Sequence, residues 1–314
     1  MKAAIVRVLG ATPVYGDFAE PQPADTLVRV TVTAAALNHV TRACAVGRHY
    51  SSSADFPFVP GIDGVGLADD GRRVYFVLPE APHGALAEQT LVRADHCVDL
   101  PDGVDGILAA AIANPGMSSW VALTERAGLK SGETVLINGA TGASGRLAVK
   151  IAKHLGAGRV IATGRNAAAL AEVGADQVVL LESDIETLEP RLMEIFAKGV
   201  DVVIDYLWGA SAERLLIAAA KAGRDAVPLR FVEVGSMSGE TINLPSAVLR
   251  ASAIELMGSG VGSVPFDRLL KAADGVLRTA VPAGLTIPMR PLPLSGIEQA
   301  WEAPDDGRRV VFTP

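Results

Sequence analysis

The chain is poor in the residues that mark several large protein classes. Aromatic residues make up 5% of its 314 residues. A core with so few rings must be built from Ala, Val, Leu and Gly, as in parallel sheets covered on both faces. Only two cysteines occur, Cys44 and Cys97. They form neither a disulfide framework nor a metal-binding spacing and suit a reducing compartment, so a cytoplasmic location is expected. The five histidines, at 39, 49, 83, 96 and 154, show no ligand spacing. No block of Lys and Arg appears and the formal net charge is −7. That argues against nucleic acid or an anionic membrane as a partner. The opening MKAAIVRVLG is too short an apolar run for a signal peptide, and no run of about 18 apolar residues suggests a membrane span.

What is present fits two domains of different texture. Up to about residue 110, the segments KAAIVRV (2–8), TLVRVTVTAAAL (26–37), RRVYFV (72–77) and LAEQTLV (86–92) read as short strands. Turn residues separate them: Pro21, Pro23, Pro57, Pro60, the Asp69-Asp70-Gly71 run, Pro79 and Pro82. Beyond about 111, six short apolar segments read as strands: 135–138, 159–163, 177–181, 201–205, 230–234 and 253–257. Helical patterns at 145–156, 166–173, 184–197 and 210–222 fall between most of them. Strand alternating with helix predicts a parallel sheet with helices on both faces, and six strands match a dinucleotide-binding fold. After 265 a further helix candidate and RRVVFTP return to the first texture, as if the α/β part were inserted into the β-rich part.

The most informative stretch is VLINGATGASGRLAVKIAKHLGA (135–157). A strand runs into three glycines and then into a helix whose Leu147, Ala148, Ile151, Ala152 and Leu155 share a face. The glycines thus lie at a helix N-terminus, where unpaired N–H groups and the helix dipole favour a pyrophosphate. The loop Ala140-Thr141-Gly142-Ala143-Ser144-Gly145 has Ala where the dinucleotide fingerprint has its first Gly. Gly142 would let phosphates approach the backbone and Gly145 would let helix pack on strand. No Gly-Lys-Ser/Thr follows, which excludes a P-loop, and the final Gly of a nucleophile elbow is missing around Ser144. None of Tyr15, Tyr50, Tyr75 and Tyr206 has a Lys four residues later, as short-chain dehydrogenases require.

The second strand decides which dinucleotide is expected. An acidic residue about 20 positions after the fingerprint would hold the ribose of NAD. Here the strand ends Thr163-Gly164-Arg165-Asn166, with no carboxylate. Gly164 leaves room and Arg165 brings a cation suited to a phosphate, so the expected cofactor is NADP(H). Gly235 and Ser236, after the fifth strand, are expected to pass close to it.

Ordered along the whole chain, AAALNHVTRACAVG (34–47), FPFVPGIDGVG (56–66), GALAEQTLVRAD (84–95), NPGMSSWVAL (114–123), the glycine loop and MGSGVGS (257–263) resemble the medium-chain dehydrogenase/reductase superfamily, in its zinc-free quinone oxidoreductase branch. The resemblance implies an α/β chain: a Rossmann doubly wound parallel sheet (113–265) inserted into a β-rich GroES-like catalytic domain (1–112 and 266–314). It also implies a homodimer, pairing sixth strands edge to edge. Zinc members carry a Cys near 36–40 and a His after the glycine that corresponds to Gly61. Here Asn38 and Ile62 stand there, and neither replaces a thiolate or an imidazole as a zinc ligand. By the resemblance Asn38 lies near nicotinamide and substrate, His49 and Tyr50 line the cleft, and Gly258 and Ser259 lie near the nicotinamide or the subunit contact. The alternative for Asn38 is a turn Asn bonding its own backbone. His39, Thr41 and Ala43 depart from the family's frequent Pro, Asp and Tyr, which leaves proton delivery open. Asp63 reads as a tie within its domain rather than a chemical group, and Tyr206 and Trp208 as core or site.

Without a metal, hydride transfer suits a conjugated acceptor, a quinone, enone or enal, whose developing charge one or two hydrogen-bond donors can stabilise. The expected activity is NADPH-dependent reduction of such a substrate. The alternatives are an NADPH-binding protein with a structural or regulatory role, and an enoyl-thioester reductase.

Overall fold

The computed structural model describes residues 1–22, 25–47, 55–181 and 185–314. They form two compact units, Met1–Asn114 with Ala273–Pro282 and Thr286–Pro314, and Pro115–Ala272 with Ala283–Leu285. The chain begins with β1 (Lys2–Ile5), β2 (Val14–Asp17) and β3 (Leu27–Ala36), then a short helix α1 (His39–Ala45). Next come β4 (Asp63–Ala68), β5 (Arg73–Val77), β6 (Gln89–Arg93) and β7 (Cys97–Asp99). β4 is a strand that sequence reading missed. Two of its six residues are glycines, which disfavour strands. A Cβ on Gly66 would lie 2.3 Å from the Thr31 carbonyl oxygen, so the close approach of β3 requires what local propensity opposes.

Helix α2 (Gly106–Val121) was also missed, because Pro115 lies inside it. A π-helical turn, Ala122–Arg126, extends it. By length and composition Gly106–Arg126 is apolar enough to cross a membrane, yet 61% of its most apolar window is buried within the protein.

The second unit alternates strand and helix: β8 (Thr134–Asn138), α3 (Ala143–His154), β9 (Arg159–Gly164), α4 (Ala167–Ala171), β10 (Gln177–Leu180), α5 (Ile185–Lys198), β11 (Val202–Asp205), α6 (Gly209–Ala222), β12 (Leu229–Glu233), α7 (Ser246–Arg250) and β13 (Ile254–Gly258). The six strands pair in parallel in the order β10-β9-β8-β11-β12-β13. Counted within the unit this is 3-2-1-4-5-6, the Rossmann order, with its switch point between β8 and β11. α3 buries Leu147, Ala148, Ile151 and Ala152. Leu147 and Ile151, with the equally buried Val149, each stabilise the fold by about 1.5–3 kcal/mol. The helix ends at His154, and Gly156 follows in the left-handed region at φ 93°.

The chain closes with α8 (Phe266–Thr279), β14 (Met289–Pro293), α9 (Ile297–Glu302) and β15 (Arg309–Thr313). β14 and β15 return to the first unit, where the sheet runs β14-β15-β3-β4-β5-β7 and β6 pairs with β3. The core of this unit gathers Ile5, Val30, Phe76, Leu86, Trp301 and Phe312. Arg42 of α1 donates to the Trp301 carbonyl, and its guanidinium lies 5.3 Å from the Trp301 ring.

Candidate cofactor and catalytic residues

In the second unit the strand register lines up one edge of the sheet. Asn138 pairs with Thr163 and with Asp205, Asp205 with Glu233, and Glu233 with Gly258. The loops holding the predicted cofactor residues therefore leave the carboxyl edge side by side, where open α/β sheets bind ligands.

Gly139 turns the chain at φ 88°. The Gly139 and Ala140 N–H groups donate to the Thr163 carbonyl at 3.2 and 2.8 Å. A Cβ on Gly145 would lie 2.3 Å from the Gly139 carbonyl oxygen and 2.6 Å from the Ala140 Cα. The first turn of α3 thus packs directly on the glycine turn, as the fingerprint predicts. Gly142 differs. A Cβ there would meet only the Gly139 oxygen, at 3.8 Å. Gly142 is the N-cap of α3 and no side chain caps the helix, so the first N–H groups, from Ala143, Ser144 and Gly145, lack a side-chain acceptor. An open cradle at an uncapped helix N-terminus fits a pyrophosphate.

Several predicted residues support this cradle from behind rather than face a ligand. Ala140 is fully buried with its N–H already bonded. The buried Thr163 donates its hydroxyl to Asn138 Oδ1 at 2.5 Å. Gly164 gives space to the protein itself, since a Cβ there would lie 2.9 Å from the Thr141 methyl and 3.2 Å from Leu170. Asn166 caps α4 by accepting from the Ala169 N–H. Arg165 remains exposed on this edge, free to meet a phosphate. Gly235 donates its N–H to the Asp205 carbonyl, the Ser236 carbonyl accepts from Gly239, the Gly258 carbonyl accepts from Arg126, and the Ser259 N–H donates to the Glu233 carbonyl.

Two buried networks that sequence reading missed brace these loops. Asn138 uses both donors and its carbonyl: Oδ1 accepts from Thr163, and Nδ2 donates to Asp205 Oδ1 at 2.8 Å and Ser211 Oγ at 2.6 Å. Asp205 also accepts from the Leu207 and Trp208 N–H groups, and burial raises its pKa against these bonds. Its sequence signal is a polar residue closing an apolar strand, as in VLIN and VVID. In the second network the Ser119 hydroxyl lies 2.7 Å from the Tyr206 hydroxyl and within hydrogen-bond reach of the Ser144 carbonyl. Burial pushes the Tyr206 phenol well above its ordinary pKa, so Tyr206 is a neutral brace. Trp120 packs with Val121, Leu269 and the His154 ring.

In the first unit Asn38 is the N-cap of α1. Its Oδ1 accepts from the Thr41 N–H at 2.6 Å, and its Nδ2 donates to Asp63 Oδ1 at 2.9 Å. The backbone-bonding alternative therefore holds for Asn38, together with a contact to Asp63. Asp63 pairs with Val77, and Tyr75 with Val65, which sets Asp63 and Tyr75 diagonally on one sheet face. The Tyr75 hydroxyl donates to Asp63 Oδ2 at 3.1 Å. Burial raises Asp63 from 3.8 to about 6, opposed by Arg309 and by the bonds from Tyr75 and Asn38. Asp63 is thus the tie that sequence reading expected. His49 and Tyr50 lie outside the described residues. Among the described residues no three of His, Cys, Asp and Glu gather in a metal-holding cluster, and Ile62 stands next to Asp63.

Comparison with known proteins agrees with this geometry. Residues 143–275 match the family described as "Zinc-binding dehydrogenase". The whole chain is 30% identical to the whole of a protein of Emericella nidulans described as "Probable NADPH-dependent quinone reductase". It is 30% identical, over 86% of its length and 84% of the other's, to an acrylyl-CoA reductase of Ruegeria pomeroyi. Its fold superposes along the full length of both chains on the quinone oxidoreductase of Thermus thermophilus, a protein also solved in complex with NADPH, with a TM-score of 0.81 and 26% identity. With the 3-2-1-4-5-6 sheet, the glycine cradle and a full-length relative in agreement, the chain belongs to the quinone-oxidoreductase-like branch of the medium-chain dehydrogenase/reductase superfamily.

Proposed function

We propose that this protein is an oxidoreductase that reduces quinones or other conjugated carbonyls with NADPH and without a metal. The observation that carries the reading is the cradle at the start of α3. Gly145 packs on the turn, Gly142 leaves space above it, and the exposed Arg165 stands where a carboxylate would select NAD. The Ala143, Ser144 and Gly145 amides would hold the pyrophosphate and Arg165 the 2′-phosphate. When bound, NADPH supplies the hydride.

The chain's own contribution is to hold and polarise. Asn38 offers one Nδ2 hydrogen to the oxygen on which negative charge develops, as an oxyanion donor does. A quinone or enone spreads that charge, so a neutral donor serves where an isolated ketone would need a metal. Water or a hydroxyl supplies the proton. The likeness to an acrylyl-CoA reductase favours a second reading within the same chemistry, reduction of an enoyl thioester. The protein works as a homodimer in the cytoplasm in this reading. β13 lies at the sheet edge and exposes Leu256, so an equivalent edge strand can pair with it.

The test follows NADPH consumption with a small 1,4-quinone, an enone and crotonyl-CoA, each with and without chelator. Turnover of the quinone or enone that resists chelation supports the first reading. Turnover of the thioester alone selects the second. Bound NADPH with no turnover of any acceptor refutes both.

A further inference from the structure

The Asn38 carboxamide is held in one orientation from both ends. It is 5% exposed. Its Oδ1 faces a backbone donor, the Thr41 N–H, and its Nδ2 faces an acceptor, the Asp63 carboxyl. Turning the amide over would set Nδ2 against an N–H and Oδ1 against a carboxyl oxygen, two like pairs at once. Asp63 is itself held, because Tyr75 donates to its other oxygen and Arg309 lies within electrostatic reach on β15. The Val311–Ala36 pair and the Leu37 N–H to Val310 carbonyl bond bring β15 alongside Asn38.

This wiring survives a change in the charge of Asp63. Asn38 Nδ2 has only hydrogens to give, so a proton on Asp63 must sit on Oδ2 and point at the Tyr75 hydroxyl, which then accepts. Oδ1 still accepts from Asn38. Among the described residues no acceptor takes the second Nδ2 hydrogen of Asn38.

We propose that Asp63, backed by Tyr75, is a positioning residue for the reduction: it locks the Asn38 carboxamide so that an N–H, and never the carbonyl, meets the oxygen of the acceptor. The proposal rests on the reading that Asn38 touches the acceptor. It also narrows the substrate class, since the reducible group must carry a hydrogen-bond acceptor where charge accumulates, as a quinone or acyl oxygen does.

The experiment compares Asp63→Ala, Asp63→Asn, Asn38→Ser and the Asn38→Ser/Asp63→Ala double variant in steady state with NADPH and a small 1,4-quinone. NADPH affinity by fluorescence titration and thermal melting serve as folding controls. Asn38→Ser retains an N-cap acceptor and removes the amide, and lowers kcat on the order of 100-fold, as removal of an oxyanion donor does. Asp63→Ala lowers kcat about tenfold or more through misplacement of that donor, with NADPH affinity unchanged. Asp63→Asn returns most of the lost kcat, because its carbonyl accepts from Asn38 and its amide donates to Tyr75. The double variant is no slower than Asn38→Ser, since the two residues act as one unit.

A folded Asp63→Ala with wild-type kcat overturns the proposal while leaving Asn38 in its role. So does a double variant in which the losses multiply, or an Asp63→Asn as slow as Asp63→Ala. If Asp63→Ala fails to fold, the same comparison is made with Asp63→Leu, which fills nearly the same space and offers Asn38 no acceptor. An Asn38→Ser variant with wild-type kcat refutes the underlying reading and the proposal together.

Discussion

Replacing Asp63 by Asn should stabilise the first unit at neutral pH and do so less and less as the solution is acidified. Burial holds the folded pKa near 6 against an ordinary value of 3.8. Between those values the unfolded chain has released a proton that the folded chain retains, so wild-type stability falls as pH rises through the interval and levels off above it. A rise of about 2.2 at about 1.36 kcal/mol each is worth roughly 3 kcal/mol in full. Because part of the titration lies below pH 4.5, the fraction accessible between pH 4.5 and 7.5 is about 2 kcal/mol. The charged and titratable groups facing Asp63 are Arg309 and Tyr75, with Asn38 as the neutral donor. Burial drives Tyr75 up and so away from this window, and although burial lowers Arg309, a guanidinium is not deprotonated within a protein at these pH values. The asparagine retains both hydrogen bonds, and any constant offset cancels in the pH dependence. The assay is urea unfolding followed by tryptophan fluorescence in a Trp120→Phe/Trp208→Phe background. There Trp301 alone reports, and it is buried in the unit that holds Asp63. A difference between variant and wild type that stays flat from pH 4.5 to 7.5, or that shrinks as pH rises, refutes the reasoning.

Gly145→Ala and Gly142→Ala should separate structure from binding at the same loop. The first drives a methyl to 2.3 Å from a backbone oxygen and should lower stability by about 1–3 kcal/mol, seen in thermal melts of the free protein. The second meets nothing closer than 3.8 Å and should lower that melt by no more than the preference for Gly over Ala at an N-cap, while weakening NADPH in a titration. Arg165→Ala should cost about 1.5–3 kcal/mol of NADPH affinity, roughly 10–150-fold, leave NADH affinity unchanged, and matter less at high salt; equal losses for both cofactors would remove its role. Asn138→Ala leaves the buried Thr163 hydroxyl without its acceptor, while Asp205 Oδ1 keeps the Leu207 N–H, and should cost about 1–3 kcal/mol for the one group left unpaired, measured by chemical unfolding. If the protein is the homodimer proposed above, Leu256→Lys on the exposed edge of β13 should convert it to a monomer in light scattering; a monomeric wild type, or a dimer that persists in the variant, would refute the edge-strand contact.

Most of the second unit is legible along the chain because its strands are continuous apolar runs and its helices follow a 3.6-residue period. Those are local properties, and the glycine loop between the first strand and helix follows from them. What sequence reading missed depends on distant neighbours. β4 is a strand despite Gly64 and Gly66, because β3 passes too close for a side chain. α2 continues through Pro115, with the Ser118 and Ser119 hydroxyls bonding the Pro115 carbonyl.

The sequence by itself determined the family and the kind of cofactor, since these depend on residue types at short fixed spacings. The tertiary structure alone decided how the described residues among those predicted are packed and bonded. It turned Thr163 and Ala140 inward, filled the space beside Gly164 with Thr141, and left Arg165 outside. It also brought Asn38, Asp63, Tyr75 and Arg309 together from different strands and turns. The physical reason is that hydrogen bonds and desolvation act across space, between groups whose separation along the chain carries no periodic signal.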